Sequence, residues 1–247
     1  MSDEDDDSIA CANHGKARAT YVCAHLADDP VQRWHGASPT PDNAWPDAWC
    51  DRCNAVFLRD GAWTDGNSGT LDIKVFCSRC YELAKGRSVS RLRGASLASW
   101  NDLVETCRIE LQAKQDALAE RFELWRHARW DWNQDRAEIV FSNDGVPAVV
   151  ATVAFVGSLS TRSGTWLWSW ANDSLTPAVV GAMARVRDYG EALDRPHLAV
   201  PLWPADEHDG WAMTAVAAHL LEAAGAYRTP GDNGFTYMLL GDVRRAR

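Results

Sequence analysis

Eight residues in the first third of the chain have the side chains and spacing of metal ligands. They fall into four pairs: Cys11 with His14, Cys23 with His25, Cys50 with Cys53, and Cys77 with Cys80. A structural zinc ion takes four Cys or His ligands in a tetrahedron, so eight ligands amount to two ions. The stronger signal is "WCDRCNAVFLRDGAWTDGNSGTLDIKVFCSRCY", in which two C-x2-C units stand 23 residues apart. A C-x2-C turn lets two thiolates face one ion, and a turn from a later hairpin completes the shell. Sequential pairing is favoured: Cys11, His14, Cys23 and His25 on one ion, and Cys50, Cys53, Cys77 and Cys80 on the other. A cross-braced arrangement, joining the first pair with the third and the second with the fourth, stays open on spacing alone.

The zinc expected here is structural. A catalytic zinc keeps one coordination position open and has a general base nearby, whereas a four-thiolate shell is closed and electron-rich. The chain has no H-E-x-x-H and no H-x-E paired with P-C-x-x-C. It has no Ser/His/Asp set, phosphate-cradling loop or nucleophile elbow either. No catalytic residue is assigned, and the reading leans away from an enzyme.

The elements that must position these ligands change character along the chain. Residues 1–8, "MSDEDDDS", read as a disordered acidic tail. Residues 9–90 are rich in Cys, Trp, Pro, Gly and Asp and show almost no helical period, as in a small zinc-ribbon-like module held by metal. Residues 91–128 read as a linker followed by a long amphipathic helix over 97–127. Leu97, Trp100, Val104, Cys107, Leu111, Leu118, Phe122 and Trp125 recur there at threes and fours. Residues 129–247 then alternate with period two through four strands, with turns at Gln134–Arg136, Asn143–Gly145 and Thr161–Gly164. Thr176 and Pro177 begin a helical pattern, and "PHLAVPLWP" reads as extended, confined by its prolines to a sheet edge. "ADEHDGWAMTAVAAHLLEAAGAYR" is a second helix with Gly225 as its stop, and "FTYMLLGDV" a closing strand. The fold class expected is α+β: an antiparallel sheet with helices packed on one face.

Charge and composition narrow the function. The formal charge is −9, and residues 1–95 hold 14 acids and 11 bases, five of the acids lying in Asp3 to Asp7. Neither half has the basic face that phosphate-backbone binding requires. The local run Arg79, Lys85, Arg87, Arg91 and Arg93 is read as a solvated linker, and nucleic-acid binding is a second alternative only. No apolar run spans a bilayer and no secretory signal opens the chain, so the expected location is cytoplasmic.

The 13 tryptophans suggest packed aromatic clusters or binding surfaces. In "GTWLWSWAND", period two puts Trp166, Trp168 and Trp170 on one strand face. Core packing is the simpler account, and a candidate binding surface of these three with Arg162 at the adjoining hairpin tip is the functional one. Asp206, Glu207, His208 and Asp209 stand at a helix start, where capping explains them. His219 reads as a helix-face residue and Cys107 as core.

On "GTWLWSWAND", "DGWAMTAVAAHLL" and "GAYRTPGDNGFTYMLL" the chain resembles a family of uncharacterised bacterial proteins, over roughly residues 120–243. The Cys-rich front resembles a separate small zinc-binding module of bacterial chains. The resemblance implies a bacterial origin and a recurring C-terminal domain, and it carries no catalytic residues. The function expected is a zinc-stabilised protein-binding or regulatory protein, with an immunity-type inhibitor of a basic partner as the example. An enzyme with a tryptophan-lined site in the C-terminal domain is the alternative.

Overall fold

The computed structural model describes residues 8–37, 39–40, 42–127, 129–133, 136–172, 174–176 and 180–246. The expected acidic tail, apart from Ser8, and Pro177 at the expected helix start lie outside these residues. The chain divides into two units, one ending at Leu92 and the other beginning at Arg93.

The first unit runs β1 (Ser8–Cys11), β2 (Gly15–Cys23), α1 (Ala24–Asp28), β3 (His35–Gly36), β4 (Ala48–Trp49), α2 (Asp51–Asp60), β5 (Ile73–Cys77) and α3 (Ser78–Arg87). β1 and β2 form a hairpin whose turn ends at Gly15, with φ of +72°. β5 lies antiparallel to the second half of β2, with Ala19 opposite Cys77 and Cys23 opposite Ile73. β4 lies parallel to β2 through Val22 and Ala48, and β3 is antiparallel to β4.

Regular helices were not expected here, yet α2 and α3 have ten residues each. "DRCNAVFLRD" and "SRCYELAKGR" are made largely of helix-compatible residues. Neither helix buries a continuous apolar stripe: α2 buries only Cys53 and α3 only Ser78, Tyr81 and Gly86. Around Leu26 and Val22, which are 0% and 1% exposed, the core of this unit includes four of the cysteines themselves: Cys23, Cys50, Cys53 and Cys77.

The second unit opens with α4 (Gly94–Phe122), 29 residues long. It buries Trp100, Cys107, Leu111 and Phe122 of the expected stripe, while Leu97 and Trp125 are exposed. Glu123, in the left-handed region at φ 52°, ends the helix, and a 3₁₀ turn follows at Leu124–Arg126. Four strands come next: β6 (Arg129–Asn133), β7 (Glu138–Asn143), β8 (Val146–Ser160) and β9 (Thr165–Trp168). After α5 (Met183–Ala192) and α6 (Pro196–Ala199) come β10 (Leu202–Pro204), α7 (Glu207–Leu220), β11 (Gly225–Gly231) and β12 (Gly234–Arg245).

These strands make one curled antiparallel sheet, and the class is α+β as expected. β8 is its axis. One edge pairs with β7 along Val146–Thr152 and with β9 along Gly157–Ser160, while the other edge pairs with β12. Opposite the step from Tyr237 to Met238 the register shifts, so Val156 is an extra residue in β8 and the sheet bends there. Ile139, Val149 and Ala151, all fully buried, pack with Phe141, Phe155 and Phe122 into the sheet core.

Two local expectations change. "PHLA" is one helical turn with Pro196 at its start, where a missing N–H costs nothing, and only Leu202–Pro204 is extended, at the sheet edge. Helix α7 ends at Leu220, not at Gly225, which begins β11. Among the described residues no helix is long and apolar enough to cross a membrane.

Candidate metal centres

The eight ligands form two groups, and neither expected pairing is the one found. The first pair joins the fourth, giving Cys11, His14, Cys77 and Cys80, and the second joins the third, giving Cys23, His25, Cys50 and Cys53. The strand register is the reason. Cys77 faces Ala19 on β2, so Cys23, four residues further along, is displaced from it by about 13 Å. The β1–β2 turn that carries Cys11 and His14 lies at the other end of β2, beside the end of β5. Cys23 instead neighbours Cys50, because the parallel bridge from Val22 to Ala48 brings β4 alongside.

Both C-x2-C pairs open helices. Cys50 and Cys77 are the N-caps of α2 and α3, and Cys53 and Cys80 sit at the third helical position. Only Cys11 and His14 sit on a hairpin turn, where a ribbon would draw both ligand pairs from such turns. Helix N-termini present free N–H groups and a positive dipole end, which favour thiolate. The Cys80 N–H donates to Cys77 Sγ at 3.3 Å, and the Cys50 N–H donates to Cys23 Sγ at 3.4 Å.

The distances fit one ion in each group. A tetrahedral ion with metal–sulfur bonds of about 2.3 Å and metal–nitrogen bonds of about 2.0 Å needs S···S edges of about 3.8 Å and S···N edges of about 3.5 Å. Cys11 Sγ and Cys80 Sγ are 3.8 Å apart, and His14 Nδ1 lies 3.4 Å from both Cys77 Sγ and Cys80 Sγ and 3.7 Å from Cys11 Sγ. In the second group His25 Nδ1 is 3.4 Å from Cys53 Sγ. All ligand atoms of each group lie within 4.8 Å of one another, and the cysteines are free thiols.

The groups differ electrostatically. Burial, and then the neighbouring thiols of Cys23 and Cys50, push the Cys53 thiol up to about 12, and burial raises Cys23 as well. Burial also pushes Cys80 up to about 12, whereas the backbone N–H of Asn13 draws Cys11 down to about 6. The second group has three buried cysteines, while Cys11, His14 and Cys80 of the first are half-exposed.

The other predicted sites resolve differently. Trp166 and Trp168 are both 0% exposed, which overturns the aromatic surface: they are sheet core. The strand ends at Trp168, and Trp170 turns off into a 3₁₀ turn with the Arg187 guanidinium 5.8 Å from its ring. Arg162 stays exposed on the hairpin tip, so the three tryptophans and Arg162 make no common surface. Asp206 and Asp209 form a reciprocal capping box, His219 pairs with Glu110 at 2.7 Å, and Cys107 is fully buried. Of the basic run, Lys85 lies over the Tyr81 ring and Arg91 donates to the Ser88 carbonyl. Sequence reasoning missed His35, which bonds Asp51 at 2.6 Å next to the Cys50 cap. Thirty-five positions into the chain, an isolated His carries no spacing signal.

Fold and site together define an α+β protein with a Cys/His-rich unit built around two Cys3His groups able to hold metal ions. A model for a family of unknown function, DUF6882, matches residues 101–243, and the chain belongs to that family. The match begins inside α4, so most of the long helix is part of the family domain. Searches of the curated proteins and of the solved structures found no match.

Proposed function

We propose that the chain is a binding protein in which two zinc ions hold the first unit folded and take no part in chemistry. The observation that carries this is the pair of complete Cys3His groups. Three thiolates and an imidazole fill a tetrahedron, so no position is left for water or substrate, and thiolate-rich shells select zinc among common ions. The metal's binding free energy is then folding free energy of the unit.

The face offered to a partner is the outer side of β2 and β5. Tyr21 and Val75 stand opposite each other, and Ile73 lies two residues along; they are 47%, 48% and 51% exposed. Exposed Asp47, which accepts from the Tyr21 N–H, borders this apolar strip, as does Asp72, which pairs with Lys74 at 3.2 Å. The strip supplies an apolar docking face, and the acidic excess of the whole chain, −9, suits a basic protein. Toxin-neutralising immunity proteins are the example, by analogy alone.

Native mass spectrometry of protein purified gently from its host tests both parts. Two zinc ions and one retained basic protein are expected, with the partner lost in Val75→Lys, which keeps both ions. Equal retention by Val75→Lys would remove this face from the reading, and a metal count of zero would remove the zinc.

A further inference from the structure

The family domain contains a small, open cleft of about 230 Å³ between α4 and α7. Arg108, Leu111, Gln112 and Gln115 line it from α4, at the i, i+3, i+4 and i+7 positions of one helix face. Trp211 and Ala215, one turn apart, line it from α7. Leu111 and Ala215 are buried and make an apolar floor, and Trp211 is half-buried with one side in the cleft. Trp211 is held from behind by Tyr237, edge-on at 5.4 Å between ring centroids, and Tyr237 in turn packs against the backbone at Gly210. The indole is therefore a fixed wall.

Of the polar groups at the mouth, the Gln112 amide donates to the Asp116 carboxylate at 2.8 Å, whereas Arg108 and Gln115 are not matched in this way. Arg108 Nη1 lies 2.7 Å from Nε2 of His208. An imidazole nitrogen accepts only when unprotonated, so this contact orients the guanidinium without cancelling its charge. Among the described residues no carboxylate lies within ion-pair distance of Arg108, unlike Arg228, which pairs with Glu207 at 2.7 Å close by. The Gln115 amide likewise makes no hydrogen bond among the described residues. A fixed aromatic wall, an apolar floor, an uncancelled guanidinium and an open amide form a concave site with few convergent polar groups.

The geometry points to a binding site in the α4–α7 cleft for a carboxylate carried on a flat apolar body, such as an aromatic acid. The guanidinium fork takes the carboxylate, Gln115 adds a donor, and the ring lies against Trp211 over Leu111 and Ala215. All six lining residues fall within the matched 101–243 span, so the site belongs to the family domain and is independent of the metal centres. The same chemistry is found in a free aromatic acid and in a polypeptide ending in Phe, Tyr or Trp.

Calorimetric titration of the full, metal-loaded chain distinguishes these. The first pair of probes is 3-phenylpropionate and its amide. The second is Ala-Ala-Phe with a free or an amidated C-terminus. Each acid is expected to bind at least about tenfold more tightly than its amide, a difference of about 1.4 kcal/mol. Arg108→Met, which keeps the packing stem, should erase that difference, and Trp211→Phe should weaken acid and amide together. A tripeptide tighter than phenylpropionate by a further tenfold would make a chain terminus the ligand, and equal affinities a free acid. Acid and amide binding alike, an unaltered preference in Arg108→Met, or no heat from any probe at about 10 mM would overturn the site.

Discussion

At the residue scale, eight Cys and His side chains gather into two groups of four that could each hold a metal ion, with Cys11 and Cys80 in one and Cys50 in the other. Cys and His at short spacing announce a metal whatever the fold does, because few other uses gather so many thiols. Which pairs share an ion depends on whether β5 runs back along β2 and on where β4 meets it, and neither is written in the spacing. The nested partition makes a sharp prediction. Cys11→Ser with Cys80→Ser should lose one zinc ion, because both touch the same site, whereas Cys50→Ser with Cys80→Ser should lose both. Native mass spectrometry reads the count directly, and the reverse pattern would restore the sequential pairing. The half-exposed first site should also yield its ion to a chelator before the second, whose three cysteines are buried. A two-step release followed by a thiolate-sensitive absorbance, with Cys80→Ser abolishing the faster step, is the expected result.

At the element scale, packing explains what the Trp-rich strand does. Period two placed Trp166 and Trp168 on one face correctly, but alternation alone does not say whether that face meets solvent or core. The decisive neighbour is Gly157, where an added Cβ would come within 2.5 Å of the Trp166 ring and 2.6 Å of the Leu167 carbonyl oxygen. Gly157→Ala should therefore destabilise the second unit by about 1–3 kcal/mol, as overpacked cores do, measured by urea denaturation. The start of α7 was legible from its residues alone: Asp206 accepts from the Asp209 N–H, and Asp209 from the Asp206 N–H, each at 3.0 Å. Asp206→Ala should cost about 1 kcal/mol. Asp209 differs, because burial raises its carboxyl above the ordinary value against the opposing pull of the backbone bond. An acid raised on folding favours the folded state below its unfolded pKa, and that advantage is lost as pH rises through the folded one. Asp209→Asn keeps an acceptor for the cap and has no such charge, so its stability should fall less than that of the unaltered chain as pH rises from about 4 to 7. Equal slopes would mean that the buried charge is without consequence.

At the scale of the whole molecule, the two units are held by different physics. The first has a small core around Leu26 and Val22 in which cysteines of the candidate metal groups are themselves buried members, so an ion held there would be a central part of what it folds around. The second has an extended sheet core from Phe122 and Ile139 to Leu240, with no described metal group in it. That difference follows from composition. A segment poor in aliphatic residues and rich in Cys, Pro and Gly cannot offset its chain entropy by burial alone, whereas "VPAVVATVAFVGSLS" can. The boundary was harder to read, because α4 looks like a connector in sequence, yet it packs along α7 and β11 and the family match runs into it. Calorimetry with and without a strong zinc chelator tests the division. The intact protein should melt in two transitions. Chelation should abolish one of them and leave the other, belonging to residues 93–247, within about 2–4 °C of its original midpoint, the shift that 1 kcal/mol produces in a unit of this size. Circular dichroism of the chelated chain should retain the signals of α4, α7 and the curled sheet. If chelation collapses both transitions together, the second unit depends on the first for its fold, and the metal then holds the whole chain and not one unit of it.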